Sequence, residues 1–86
     1  MSGRRYPPLT PDEVRDILRA KGFSLDRTRG SHEQWRAIVN NQPQVVTVDS
    51  HYKTFDQSLI KRMISQSGLA REEFYSATKR TAKKIL

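Results

Sequence analysis

The apolar positions of this chain change period along its length, and each change marks an element. Val14, Ile17 and Leu18 fall at i, i+3 and i+4, which stacks them on one helical face, while Arg15, Asp16 and Arg19 fall off it. Thr10-Pro11-Asp12-Glu13 precedes the stripe as a start signal: the threonine can cap a free amide, proline suits the first helical position, and Glu13 completes a capping box. Gly22 suits a left-handed stop, so a helix is predicted from Pro11 to about Lys21.

From Phe23 the period becomes two. Phe23, Leu25, Arg27 and Arg29 fall on one side of a predicted strand, with Ser24, Asp26 and Thr28 on the other. Gly30-Ser31 has turn chemistry. Alternation then resumes, with Glu33, Trp35, Ala37 and Val39 facing one way and His32, Gln34 and Arg36 the other; Ile38 breaks the polar side. The apolar set should face a core and leave His32, Gln34 and Arg36 on an open face.

Asn40-Asn41-Gln42-Pro43 reads as a turn, and Val45-Val46-Thr47-Val48 as a third, β-branched strand. Asp49 to Asp56 forms a polar connection. Leu59, Ile60, Met63 and Ile64 return to helical spacing, and Gly68 supplies a stop, which predicts a second helix over about Gln57 to Ser67. Leu69 and Phe74 then serve as anchors, and Arg71 to Leu86 is predicted to continue as a helix with Lys79, Arg80, Lys83 and Lys84 at its end.

Helix, three strands, helix predicts an α+β fold: a three-stranded antiparallel meander with both helices on one face, followed by a C-terminal helical extension. Residues 1–8, with Arg4-Arg5 and Tyr6-Pro7-Pro8, are expected to be a flexible leader, residues 9–75 a single domain, and residues 76–86 a basic extension.

Charge narrows the partner. Sixteen Lys and Arg against nine Asp and Glu give +7 on 86 residues, a sustained positive potential that attracts polyanions, nucleic acid first among them. No apolar run approaches the ~20 residues that span a bilayer, no helix pairs a broad apolar face with a basic one, and no signal core opens the chain, so the cytoplasm is the expected compartment. Cysteine is absent, which excludes disulfides and thiolate metal sites. Two histidines far apart, outside any HExxH arrangement, point to no metal and no cofactor.

A histidine beside a turn can take a proton in one step and return it in the next. In RNA the 2′-hydroxyl beside the scissile phosphate is a built-in nucleophile that needs a base and charge neutralisation. His32 is the candidate base, and Arg27, Arg29 and Arg36 the candidates to hold the phosphate. His51, at a strand end, is a candidate second acid or phosphate contact, and Lys53 a further cation for RNA. Glu33 and Asp49 could orient a histidine or be solvated. Ser31 lacks the GxSxG context of a hydrolase nucleophile and reads as a turn residue beside the RNA. Trp35 is placed in the core by its phase, whereas Tyr52 and Tyr75 are freer to stack on bases.

Several of these residues form an ordered set: Glu13-Val14 to Leu18, Gly22-Phe23, Arg27, Gly30-Ser31-His32 with Trp35, Val46-Thr47-Val48 with His51, and Leu59-Ile60 to Gly68-Leu69 with Glu73-Phe74. From Leu9 to Tyr75 the set resembles the HicA (YcfA-like) toxin family. The resemblance implies a fold like a double-stranded RNA-binding domain, a ribonuclease that cleaves mRNA with the GSH histidine, here His32, and neutralisation by a HicB-type antitoxin. The chain departs from the family at Glu33-Gln34, where further histidines are common, at Asp49, where proline is common, and in its longer C-terminal extension. Two functions are therefore carried forward: a metal-independent endoribonuclease using His32 as general acid and base, and a non-catalytic RNA-binding module of the same fold.

Overall fold

A computed structural model describes residues 5–86; residues 1–4 of the expected leader lie outside them. The first helix, α1, spans Pro11–Ala20. Its capping box is formed as anticipated, with the Thr10 hydroxyl accepting from the Glu13 amide at 3.2 Å and Glu13 Oε1 accepting from the Thr10 amide at 2.9 Å. Strands β1 (Ser24–Arg29), β2 (His32–Val39) and β3 (Gln42–Asp49) pair antiparallel in that spatial order. Helix α2 (Gln57–Ser67) is capped by Asp56, whose carboxylate accepts from the Leu59 amide at 3.0 Å, and ends at Gly68 with φ +74°.

The second turn is shorter than expected. Only Asn40 and Asn41 form it, both at positive φ (52° and 63°), a conformation asparagine tolerates and one whose twist suits a two-residue hairpin. Gln42 and Pro43 belong to β3, opposite Val39 and Ile38. Closing pairs of such hairpins exchange hydrogen bonds and the next pair does not, so the missing amide of Pro43 points to the free edge and the ladder loses nothing.

The helices lie on one face of the sheet. Val14, Ile17 and Leu18 of α1 and Ile60, Met63 and Ile64 of α2 join Phe23, Trp35, Val46 and Val48 in one core. Glu33 shares this helix-side face, where it is largely shielded from solvent and pairs with an arginine and a tryptophan rather than a histidine. Its carboxylate takes Arg15 Nε at 3.0 Å and Nη2 at 2.7 Å, and accepts from the Trp35 indole at 3.0 Å. Hydrogen bonding to Arg15, then to Trp35, holds the Glu33 carboxyl below its ordinary 4.5. A lowered carboxyl contributes stability that is present above the unfolded value and lost as pH falls through the folded one. Melting temperature should therefore fall as pH drops below 4.5, and Glu33→Gln should flatten that acid limb while costing about 1–3 kcal/mol at neutral pH, read by thermal melts across pH.

Beyond α2 the expected continuous helix is broken. It becomes α3 (Arg71–Tyr75), α4 (Lys79–Ala82) and a 3₁₀ turn over Lys83–Ile85. The break follows from Thr78, which leaves helical geometry to cap α4 by accepting from the Thr81 amide at 3.1 Å, and from the buried Thr81 hydroxyl, which donates to the Tyr75 carbonyl at 2.6 Å. Tyr75, expected to be free for base stacking, is fully buried and donates its hydroxyl to the Pro7 carbonyl at 2.7 Å. Burial also pushes its phenol well above the ordinary range. On the extension, Arg80 meets Asp16 at 2.8 Å and Glu13 at 3.8 Å, and Lys84 meets Glu13 at 3.7 Å, so these two cations face α1. No helix among the described residues is long and apolar enough to cross a membrane.

Candidate active site on the open face of the sheet

His32 is the first residue of the central strand. Gly30, with φ +60°, makes the tight turn before it possible, since an L side chain there would be strained. Register places Arg29 on one side of His32 and Asp49 on the other. The His32 ring is more than half exposed, and its Nε2 lies 3.4 Å from Asp49 Oδ2.

Asp49 is itself held. A hydrogen bond with the Ser31 side chain, then one from the His51 amide (2.9 Å to Oδ1), keep its carboxyl below the ordinary aspartate range, with His32 and His51 adding weaker electrostatic support. The Ser31 carbonyl accepts from the Ser50 amide at 2.8 Å and from the Ser50 hydroxyl at 3.2 Å, which ties the turn before His32 to the loop after Asp49. His32 thus presents its ring from a backbone fixed on both sides.

The arginines arrive by a route that simple alternation misses. The β1–β2 register runs Ser24↔Arg36 and Leu25↔Trp35, then jumps to Arg27↔Gln34, leaving Asp26 as the extra residue of a bulge. Strict alternation would have put Arg27 and Arg29 on the same face as Leu25, toward the helices. The bulge reverses the phase instead, and both arginines share the open face with His32, Gln34 and Arg36. Asp26 Oδ2 accepts from Arg36 Nε at 3.1 Å and lies 4.0 Å from Arg27 Nε. Arg29 has no side-chain partner among the described residues, and its guanidinium is free for an anion. Together these groups line a basin of about 510 Å³ that includes His32.

A second cleft, of about 390 Å³, lies where β3 meets α2; His32, Thr47, Asp49, Tyr52, Phe55, Leu59, Arg62, Met63 and Gln66 line it. Among the described residues, His32 alone borders both spaces. His51 and Lys53 lie elsewhere, on a shallow groove with Thr10, Pro11, Asp12 and Arg15. The structure therefore unites Arg27, Arg29 and Arg36 with His32, sets Ser31 beneath it through Asp49, connects His51 through its backbone amide and a ring contact with Tyr52 (centroids 5.8 Å apart), and leaves Lys53 apart.

Arg62, Gln66 and Thr47 were not distinguished by sequence. Arg62 and Gln66 stand at i and i+4 on the polar side of α2, and no pattern within a helix says which polar side abuts a sheet edge. Among the described residues no group of three or more metal-ligating side chains comes together.

Residues 11–69, more than half of the chain, match the model of a protein family described as HicA toxin of bacterial toxin-antitoxin. No curated protein matches the chain.

Proposed function

The chain belongs to the HicA toxin family of bacterial toxin-antitoxin systems, and on that premise we propose that it is a metal-independent endoribonuclease that cuts single-stranded mRNA with His32 as general base and acid. The observation that carries the reading is the pairing of His32 with Asp49 on a face where the Asp26 bulge brings Arg27 and Arg29 alongside Arg36.

In this mechanism His32 carries its proton on Nε2, the nitrogen 3.4 Å from Asp49 Oδ2, which leaves Nδ1 as the base. Nδ1 takes the proton of the 2′-hydroxyl as that oxygen attacks the adjacent phosphorus. Arg29, with Arg27 and Arg36, holds the non-bridging oxygens and neutralises the charge that builds on them. The P–O5′ bond breaks, and the imidazolium returns its proton to the leaving 5′-oxygen. The products are a 2′,3′-cyclic phosphate and a 5′-hydroxyl. Asp49 orients the ring and stabilises the imidazolium between the two transfers. A HicB-type antitoxin would silence the enzyme by covering this open face, and mRNA in the cytoplasm is its substrate.

The test is an RNA oligonucleotide and its counterpart with 2′-deoxyribose at the cleaved position, both in excess chelator. We expect cutting of the first, to cyclic phosphate ends, and none of the second. Cutting of both would exclude the 2′-hydroxyl as nucleophile and remove this reading.

A further inference from the structure

Apart from His32 and Asp49 at its mouth, the residues that line the cleft between β3 and α2 play no part in the chemistry just described. Its volume of about 390 Å³ lies within the ~300–1,000 Å³ of small-molecule sites. Its floor is apolar and aromatic: Phe55 and Met63 are buried, and Tyr52 is exposed with its ring 6.0 Å from that of Phe55. A flat, exposed tyrosine over an apolar floor suits the face of a nucleobase.

The polar groups at the cleft point to one kind of base edge. Gln66 Oε1 accepts from the Thr47 amide at 3.1 Å, closing the free edge of β3. That bond fixes the orientation of the carboxamide and leaves its Nε2 as a donor. Thr47 Oγ1 already donates to Gln34 Oε1 at 3.2 Å. Arg62, on the rim, has no side-chain partner among the described residues and can only donate. Asp49, the carboxylate in the lining, is already engaged by the Ser31 side chain, the His51 amide and His32, so the groups left open to a ligand are donors and call for acceptors on it.

We propose that this cleft is a base-recognition site for the nucleotide next to the scissile phosphate, stacking it on Tyr52 and selecting a keto base, guanine or uracil, through Gln66 and Arg62. A keto oxygen accepts from Gln66 Nε2. The exocyclic amino group of adenine or cytosine in that place would set donor against donor and leave both unpaired. Because His32 borders both cleft and basin, a base held here delivers its phosphate to His32 and Arg29. The proposal rests on the ribonuclease reading for its substrate but not for its test.

The test is binding, in a His32→Ala background that does not consume the RNA. Fluorescent oligonucleotides of equal length carry G, U, A or C at each position in turn, and wild-type cleavage is measured in parallel. His32→Ala is expected to prefer G or U over A and C at one position, and the two keto arms show which is favoured. Adding Tyr52→Ala should weaken binding about tenfold or more. Adding Gln66→Glu keeps an oxygen for the Thr47 amide while replacing the donor, so preference should move to A or C. RNA binding whose base preference and affinity neither substitution changes would overturn the proposal, and the ribonuclease reading would stand if the wild type still cuts. Absence of RNA binding would overturn both.

Discussion

Replacing His32 with alanine is expected to lower the rate of RNA cleavage by about 10²–10⁴-fold, the usual contribution of a positioned general acid or base. In the proposed mechanism both proton transfers pass through one ring, so the loss is expected at the upper end of that range. Its removal should leave the fold alone, since the side chain is more than half exposed and belongs to no core cluster. RNA affinity should also survive, because Arg27, Arg29 and Arg36 remain on the open face. The loss should therefore appear in kcat with KM little changed. Arg29→Ala should give the opposite pattern in part, weakening binding and its salt dependence, because that guanidinium, proposed to hold the phosphate, has no acidic partner among the described residues.

Trp35→Ala should be the most damaging change to stability, at about 3–5 kcal/mol by the measure of buried aromatics. Trp35 sits in the middle of the central strand, 3% exposed, on the face opposite His32. Its loss would leave a cavity beneath β2 and take the indole donor from Glu33, whose carboxylate would keep only Arg15. The contact with Arg19, 5.2 Å above the ring, would go as well. Domains of this size hold only about 5–15 kcal/mol, so the variant should melt well below the wild type or be largely unfolded at growth temperature. Urea titration followed by circular dichroism gives the number. Trp35→Phe, which keeps most of the apolar volume, should lose much less.

The contrast between these two residues reflects what alternation can say. His32 and Trp35 lie on one strand, and its period of two placed the first on the open face and the second in the core. The first two helices were equally legible, because Thr10 starts one and Gly68 stops the other by local chemistry; the cap that Asp56 gives the second came only with the structure. Strand β1 was not. Arg27 and Arg29 could be named from their charge, but the residue that brings them to His32 is Asp26, and an extra residue in a short strand leaves no periodic trace. The C-terminal segment failed for a related reason: its break depends on the Thr81 hydroxyl reaching the Tyr75 carbonyl, and on Tyr75 reaching the Pro7 carbonyl 68 residues away in sequence. Arg62 and Gln66 became visible only when α2 was set against the edge of β3.

The same geometry gives Asp49 a definite place. Sequence offered it and Glu33 as equal candidates to orient a histidine, and the pleat separates them: Glu33 turns to Arg15 under the sheet, and Asp49 turns to His32 above it. At a position where the resemblance implies proline, this chain has a carboxylate 3.4 Å from the proposed catalytic ring.

Single-turnover cleavage of end-labelled single-stranded RNA in excess chelator, by wild type and by His32→Ala, tests the central claim most directly, with both proteins checked for folding by circular dichroism. The wild type should cut, and the folded variant should bind the RNA without cutting it. Equal cutting by both proteins, or cutting by the wild type only after a divalent metal is restored, would contradict a metal-independent ribonuclease built on His32.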